Sequence, residues 1–265
     1  EEVRRQGARN QSTYLTWDHM DVYFATSMRK AWEYEDLYDF IQKLMSTSEL
    51  ERDELVSHIR YFDPTQSFTD NRVNKGLVEA LMLKRARCTV YSVQDTDTLG
   101  KDSELASTLA QGKPVIAYVP NIDVEARAQQ LASEDAATIL ERLRFVLYAD
   151  ESLAQRLNEE EYNLVGGIQD ELDDFVSEQI WLSLPDAAAT AELKAGLGVK
   201  LQDFCRILAL SEKAVYDKRA ETLRKSHPLA IQVNLDTGVA NGLLVVRSIP
   251  ECAALLRRIL LYDIE

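Results

Sequence analysis

Between about residues 18 and 120, four short apolar runs rich in β-formers alternate with stretches of helical periodicity, and this alternation restricts the fold most tightly. The runs are Asp21-Val-Tyr-Phe-Ala-Thr26, Ile59-Arg-Tyr-Phe62, Cys88-Thr-Val-Tyr-Ser-Val93 and Pro114-Val-Ile-Ala-Tyr-Val119. Continuous apolar runs belong to strands covered on both faces, as in a parallel sheet. The segments between them can supply the helical crossovers that parallel neighbours need. Trp32, Leu37, Phe40, Ile41 and Leu44 fall near helical spacing. Asp70 can cap a second helix running to about Arg85, with Val73, Leu77, Ala80, Leu81 and Lys84 along one side. A third, short helix covers about Asp102 to Ala110 and stops at Gly112. Right-handed crossovers then predict an α/β fold with a flavodoxin-like, doubly wound parallel sheet.

From about 121 to 225 the pattern changes to helices alone. Leu140, Leu143, Val146 and Leu147 mark one; Leu172, Phe175, Val176 and Ile180 a second; Leu201, Phe204, Leu208 and Val215 a third. Glu159 to Glu161 and Asp170 to Asp174 read as solvated faces. Strand signals return at Leu229 to Leu235 and Leu243 to Arg247, with turn residues Asp236-Thr-Gly238 and Asn241-Gly242 between them. A last helix covers Pro250 to Leu261. The expected organisation is an α/β domain of residues 18–120 plus 226–265, carrying a large α-helical insertion at 121–225.

The chain has 265 residues and a net charge of −14. Such a surface repels phosphate backbones and argues against direct nucleic-acid binding. The basic run Lys84 to Arg87 reads as a helix end complementing the dipole. Cys88, Cys205 and Cys252 form no CxxC pattern, which fits a reducing, cytoplasmic setting, and His19, His58 and His227 do not cluster, so no metal site is expected. No apolar run approaches the roughly 20 residues of a membrane span, and no secretory signal is seen. The first residue is Glu, so the chain can be part of a longer protein.

Open parallel sheets bind ligands at the carboxyl ends of their strands. That rule selects Thr26 to Arg29, Asp63 to Thr65, Gln94 to Asp97, and Pro120 with Asn121. Glu104 follows the third of these, in the expected first turn of the short helix, where the dipole would favour an ionised carboxylate. A charged carboxylate in a ligand crevice suits trapping or stabilising an oxocarbenium-like sugar. An acid there also simply helps a helix start.

The segment from Gln94 to Val119, QDTDTLGKDSELASTLAQGKPVIAYV, resembles the nucleoside 2-deoxyribosyltransferase pattern through Gly100, Glu104, Gly112, Lys113, Pro114 and Val115. It is also similar to Toll/interleukin-1 receptor (TIR)-type NAD hydrolases, whose catalytic Glu likewise follows the third strand. Phe24 to Arg29 resembles the first strand and substrate-contacting loop of the transferases. The resemblance covers about 18–120. It implies that Glu104 is the nucleophile or oxocarbenium stabiliser, and that Ser27, Met28 and Arg29 line the sugar or phosphate pocket. A guanidinium at Arg29 could grip a pyrophosphate, or pair with Glu33 one turn on. Glu79 falls near the position of the base-recognition acid, offset by about one residue. Asp95 and Asp97 belong to the acidic loop, with Lys101 where the family has Thr. Asp102 would orient Glu104 or cap the helix, and Asp63 with Arg72 could help hold a nucleotide. A Rossmann fingerprint is absent after the first strand, so NAD is expected as substrate and no cofactor is implied.

The expected function is N-glycosidic cleavage of a nucleotide, NAD first, by a gated effector of the kind used in bacterial defence. The helical insertion would serve a homo-oligomer or a regulatory partner. Two alternatives stand beside it: a nucleoside or deoxynucleotide hydrolase or 2-deoxyribosyltransferase, and a non-catalytic nucleotide-sensing or assembly module.

Overall fold

The computed structural model describes residues 1–52, 55–94, 98–182, 187–226, 232–234 and 239–261. It divides into two compact units, Glu1–Pro120 with Ala220–Glu265, and Asn121–Arg219. In chain order the strands are β1 (Met20–Ala25), β2 (Tyr61–Phe62), β3 (Ala86–Ser92), β4 (Val115–Tyr118), β5 (Gln232–Asn234), β6 (Val239–Asn241) and β7 (Leu243–Val246). The helices are α1 (Glu2–Thr16), α2 (Ala31–Met45), α3 (Ser48–Glu51), α4 (Leu55–His58), α5 (Arg72–Arg85) and α6 (Leu99–Ala110). They continue as α7 (Val124–Ser133), α8 (Ala136–Ala149), α9 (Leu153–Arg156), α10 (Glu159–Leu182), α11 (Ala187–Leu197), α12 (Val199–Ser226) and α13 (Ile249–Leu261).

The first unit is built on an all-parallel sheet in the order β2-β1-β3-β4-β7, which is the expected flavodoxin-like architecture. Strand alternation sends Val22, Phe24, Val90 and Ile116 to one face, where Leu37, Ile41 and Leu44 of α2 and Cys252 and Leu256 of α13 cover them. Each such large apolar side chain contributes roughly 1.5–3 kcal/mol on burial. Tyr23 and Thr89 point to the opposite face. Tyr23 stacks on Phe62 with ring centroids 5.3 Å apart, and Thr89 Oγ1 lies 2.8 Å from Thr108 Oγ1 of α6. Gly112, with φ of 74°, ends α6 in the left-handed region that favours glycine.

Only β7 joins the main sheet, whereas β5 pairs antiparallel with β6 in a separate two-stranded sheet. The position beside β4 is taken by β7. Asp236 to Gly238 lie outside the described residues.

Helix α1 has no apolar stripe to announce it, and its buried residues are Gly7 and Tyr14. The Tyr14 ring meets Phe62 edge-on at 5.0 Å and Trp17 at 5.4 Å. Phe68 donates its N–H to the Gly7 carbonyl at 3.2 Å, and a Cβ placed on Gly7 would lie 2.7 Å from Phe68 Cβ. Alanine at position 7 gains helix propensity of about 1 kcal/mol but meets this clash, whose relief costs about 1–3 kcal/mol. Gly7→Ala is therefore expected to lower stability by about 1 kcal/mol in denaturant titration; a more stable variant would show that the contact is loose.

The basic run after α5 serves carbonyl groups. Arg85 donates to the carbonyls of Leu15 and Trp17 at 3.2 and 2.5 Å, and Arg87 to those of Leu260 and Ile259 at 3.1 and 3.2 Å. Two helix C-termini are satisfied this way.

The second unit is helical throughout its described residues, α7 to the α12 segment ending at Arg219. Its core joins Ile139, Leu143 and Val146 of α8, Leu172 of α10 and Phe204 and Leu208 of α12. Within it lies a buried ion network. Arg127 grips fully buried Glu212 through Nε at 2.6 Å and Nη2 at 3.2 Å. Glu134 accepts from Arg142 Nε at 2.8 Å and stands 3.7 Å from Arg127. All three cysteines are buried thiols.

Candidate active site

Helix α6 starts three residues earlier than expected, with the Thr98 side chain accepting from Lys101 N at 3.1 Å as the N-cap. Glu104 therefore stands in the second turn, not the first. Its backbone carbonyl accepts from Thr108 Oγ1 at 2.9 Å, and Thr108 faces Thr89 of β3. The Glu104 side chain thus lies over the sheet face that carries Tyr23. Tyr23 Oη donates to Glu104 Oε1 at 2.8 Å. The half-buried carboxyl is pushed up to about 7, chiefly by desolvation, with the negative charge of Glu79 adding to it. The Tyr23 hydrogen bond and the charges of Lys101 and Lys75 pull the other way. The expected first-turn placement is corrected, and one turn deeper burial outweighs the dipole's contribution of about 0.3–1 kcal/mol.

Glu79 on α5 is near enough to act electrostatically on both Glu104 and Tyr23. Burial raises it as well, against the ammonium of Lys75 at 3.7 Å. Tyr23, Glu79 and Glu104 thus form one acidic cluster on this face, with Lys75 beside it. Lys101, almost completely buried, donates from Nζ to the Ser92 carbonyl at 3.0 Å and lies 4.9 Å from the Tyr91 ring centre. Asp102 is exposed and accepts the Tyr91 hydroxyl at 2.8 Å. Both expectations for Asp102 are corrected, since the cap is Thr98 and the donor holding Glu104 is Tyr23.

The loop after β1 is fixed by Gln94. Its Oε1 accepts from Thr26 Oγ1 at 2.7 Å and Ser27 N at 2.8 Å, while Nε2 donates to the Glu33 carbonyl at 3.0 Å. Ser27 is buried, Met28 half-buried and Arg29 exposed. The Glu33 carboxylate takes the backbone N–H groups of Arg29 and Lys30, at 2.6 and 3.0 Å, and helps α2 begin. Asp95 and Asp97 lie outside the described residues. Asp63 does not join Glu104. It is buried at the exit of β2, accepts Thr65 N at 2.8 Å and Thr65 Oγ1 at 2.6 Å, and faces a separate cleft of about 360 Å³ beside Tyr14, Tyr38 and Tyr61.

Comparison of the chain with known protein families, with curated proteins and with solved structures gives no match. The chemistry of the cluster is therefore read from its own side chains. No helix among the described residues is long and apolar enough to cross a membrane, and among them no three His, Cys, Asp or Glu side chains converge as metal ligands. Sequence reasoning passed over Tyr23, and it placed Gln94 at a strand exit without a role of its own. The signal for Tyr23 was a hydroxyl inside an apolar strand, which has to find a polar partner when buried.

Proposed function

We propose that the α/β unit is an N-glycosidase for a nucleotide, with NAD the foremost substrate and nicotinamide and an ADP-ribose product. The supporting observation is the Glu104 carboxyl, set against the sheet and held at 2.8 Å by the Tyr23 hydroxyl. Cleavage of an N-glycosidic bond builds positive charge on the anomeric carbon. An ionised carboxylate beside that carbon either bonds to it or stabilises it until water adds, and a low dielectric strengthens the effect. In NAD the bond pair returns to the positively charged ring nitrogen, so nicotinamide leaves neutral without a proton donor. Water supplies oxygen to the anomeric carbon, and its proton passes to a carboxylate or to solvent.

Glu79 is read as the acid facing the base and exposed Arg29 as a guanidinium for the pyrophosphate. The helical unit is read as the surface for a second copy or a regulatory partner, as suits a gated effector. The direct test follows base release from NAD, nucleosides and nucleotides by wild type and by Glu104→Gln. Equal turnover by the two proteins removes Glu104 from the mechanism, and base exchange in the presence of a competing free base moves the reading to a transferase.

Tyr23→Phe is expected to lower kcat/KM at pH 7 about tenfold, because a hydrogen bond to a charged group contributes roughly 1.5–3 kcal/mol. Without that donor the Glu104 pKa rises further, so the acidic limb of the pH profile shifts to higher pH. A profile unchanged in position would show that Tyr23 acts only by packing.

A further inference from the structure

The cleft at the free edge of β2 belongs to no part of the reaction described above. Helix α1 contributes Tyr14, the residue that caps its C-terminus is Trp17, and α2 contributes Tyr38 and Ile41. Tyr61 of β2 and Asp63, just after it, also line the cleft. Its volume of about 360 Å³ falls within the range of small-molecule sites. The rings of Phe62 and Tyr23, stacked at 5.3 Å, separate it from Glu104.

Three properties define what it could hold. Tyr14, Trp17, Tyr38 and Tyr61 offer aromatic surface for a flat ring, beside the polar side chains of Asn10, Thr13, Gln42 and Gln66. Among the described residues no Lys, Arg or His lines it; Arg60 stacks 5.8 Å from the Trp17 ring but is not part of the lining. Its ionisable acid is Asp63, whose buried carboxyl is raised by desolvation despite the Thr65 hydrogen bonds. A buried carboxylate gains from a donor or a positive charge, and phosphate would be repelled by it.

We propose that this cleft binds a planar nitrogen heterocycle free of phosphate, whose N–H edge or positive charge faces Asp63 and whose ring stacks among Tyr14, Tyr38 and Tyr61. The site stands whether or not the chain is an N-glycosidase, because binding is read without turnover. The experiment is calorimetric titration of the full chain with adenine, nicotinamide and 1-methylnicotinamide, and with AMP as the phosphate-bearing control. At least one of the three heterocycles is expected to bind with unit stoichiometry, and AMP at least about tenfold more weakly than adenine. Tyr38→Ala, at a position 55% exposed, and Asp63→Asn, which keeps the acceptor for Thr65, are each expected to weaken binding about tenfold or more. Glu104→Gln is expected to leave binding unchanged. Should Asp63→Asn not fold, Tyr38→Ala decides. The proposal fails if none of the three heterocycles binds wild type, if AMP binds as well as adenine, or if affinity follows Glu104→Gln and ignores Tyr38→Ala.

Discussion

Glu104→Gln is expected to reduce base release by about a thousandfold or more, equivalent to ~4 kcal/mol of transition-state stabilisation. The amide keeps the shape and can still accept from Tyr23, but carries no negative charge. Wild-type kcat/KM should rise with pH through about 7, as the carboxyl ionises, and any residual rate of the variant should be flat there. Stability should respond with the opposite sign. The folded carboxyl binds its proton more tightly than the unfolded one, whose pKa lies near 4.5. Between about 4.5 and 7 the folded state holds more protons, so stability falls as pH rises through that window. The deficit, about 3 kcal/mol, is complete above 7. Glu104→Gln should therefore melt above wild type at pH 8 and level with it near pH 4. A variant that loses activity and also melts lower at pH 8 would place Glu104 among the structural residues.

Glu212→Ala is expected to destabilise the helical unit by about 3–5 kcal/mol. Removing one member of a buried pair takes away much of what offsets the other's desolvation, and Glu134 at 3.7 Å is more distant from Arg127 than Glu212 is. Arg127→Met combined with Glu212→Met should restore much of the loss, because apolar side chains can replace a buried ion pair. Denaturant titration of wild type and the two variants checks this. A single substitution costing less than about 1 kcal/mol would mean that water reaches the pair in solution.

Sequence showed the parallel sheet clearly because doubly covered strands need continuous apolar runs, and the interleaved helices carried their own period. Helix α1 stayed invisible for the opposite reason: it buries Gly7 and Tyr14, and contacts to Phe62 and Phe68 hold it in place. The residues around Leu229 to Leu235 had a strand's composition, but composition does not say which sheet a strand enters. Position 104 followed from strand order, yet its charge state did not. Asp102 and Ser103 look like a helix start, which hides the true cap at Thr98 and misplaces Glu104 by a turn. The raised pKa comes from burial at that turn and from the charge of Glu79 on another helix, which only tertiary structure brings near Glu104. Asp63 shows the same limit, since a strand-exit acid can face either side of an edge strand.

The sealed thiols have a practical consequence. Burial raises Cys88 and Cys205 to about 12 and Cys252 higher still, so the native chain presents neither access nor thiolate to an alkylating reagent. Cys88 and Cys252 belong to the α/β unit and Cys205 to the helical one. Peptide-resolved mass spectrometry of maleimide-treated protein would thus time the opening of each half separately, with no engineered cysteine needed.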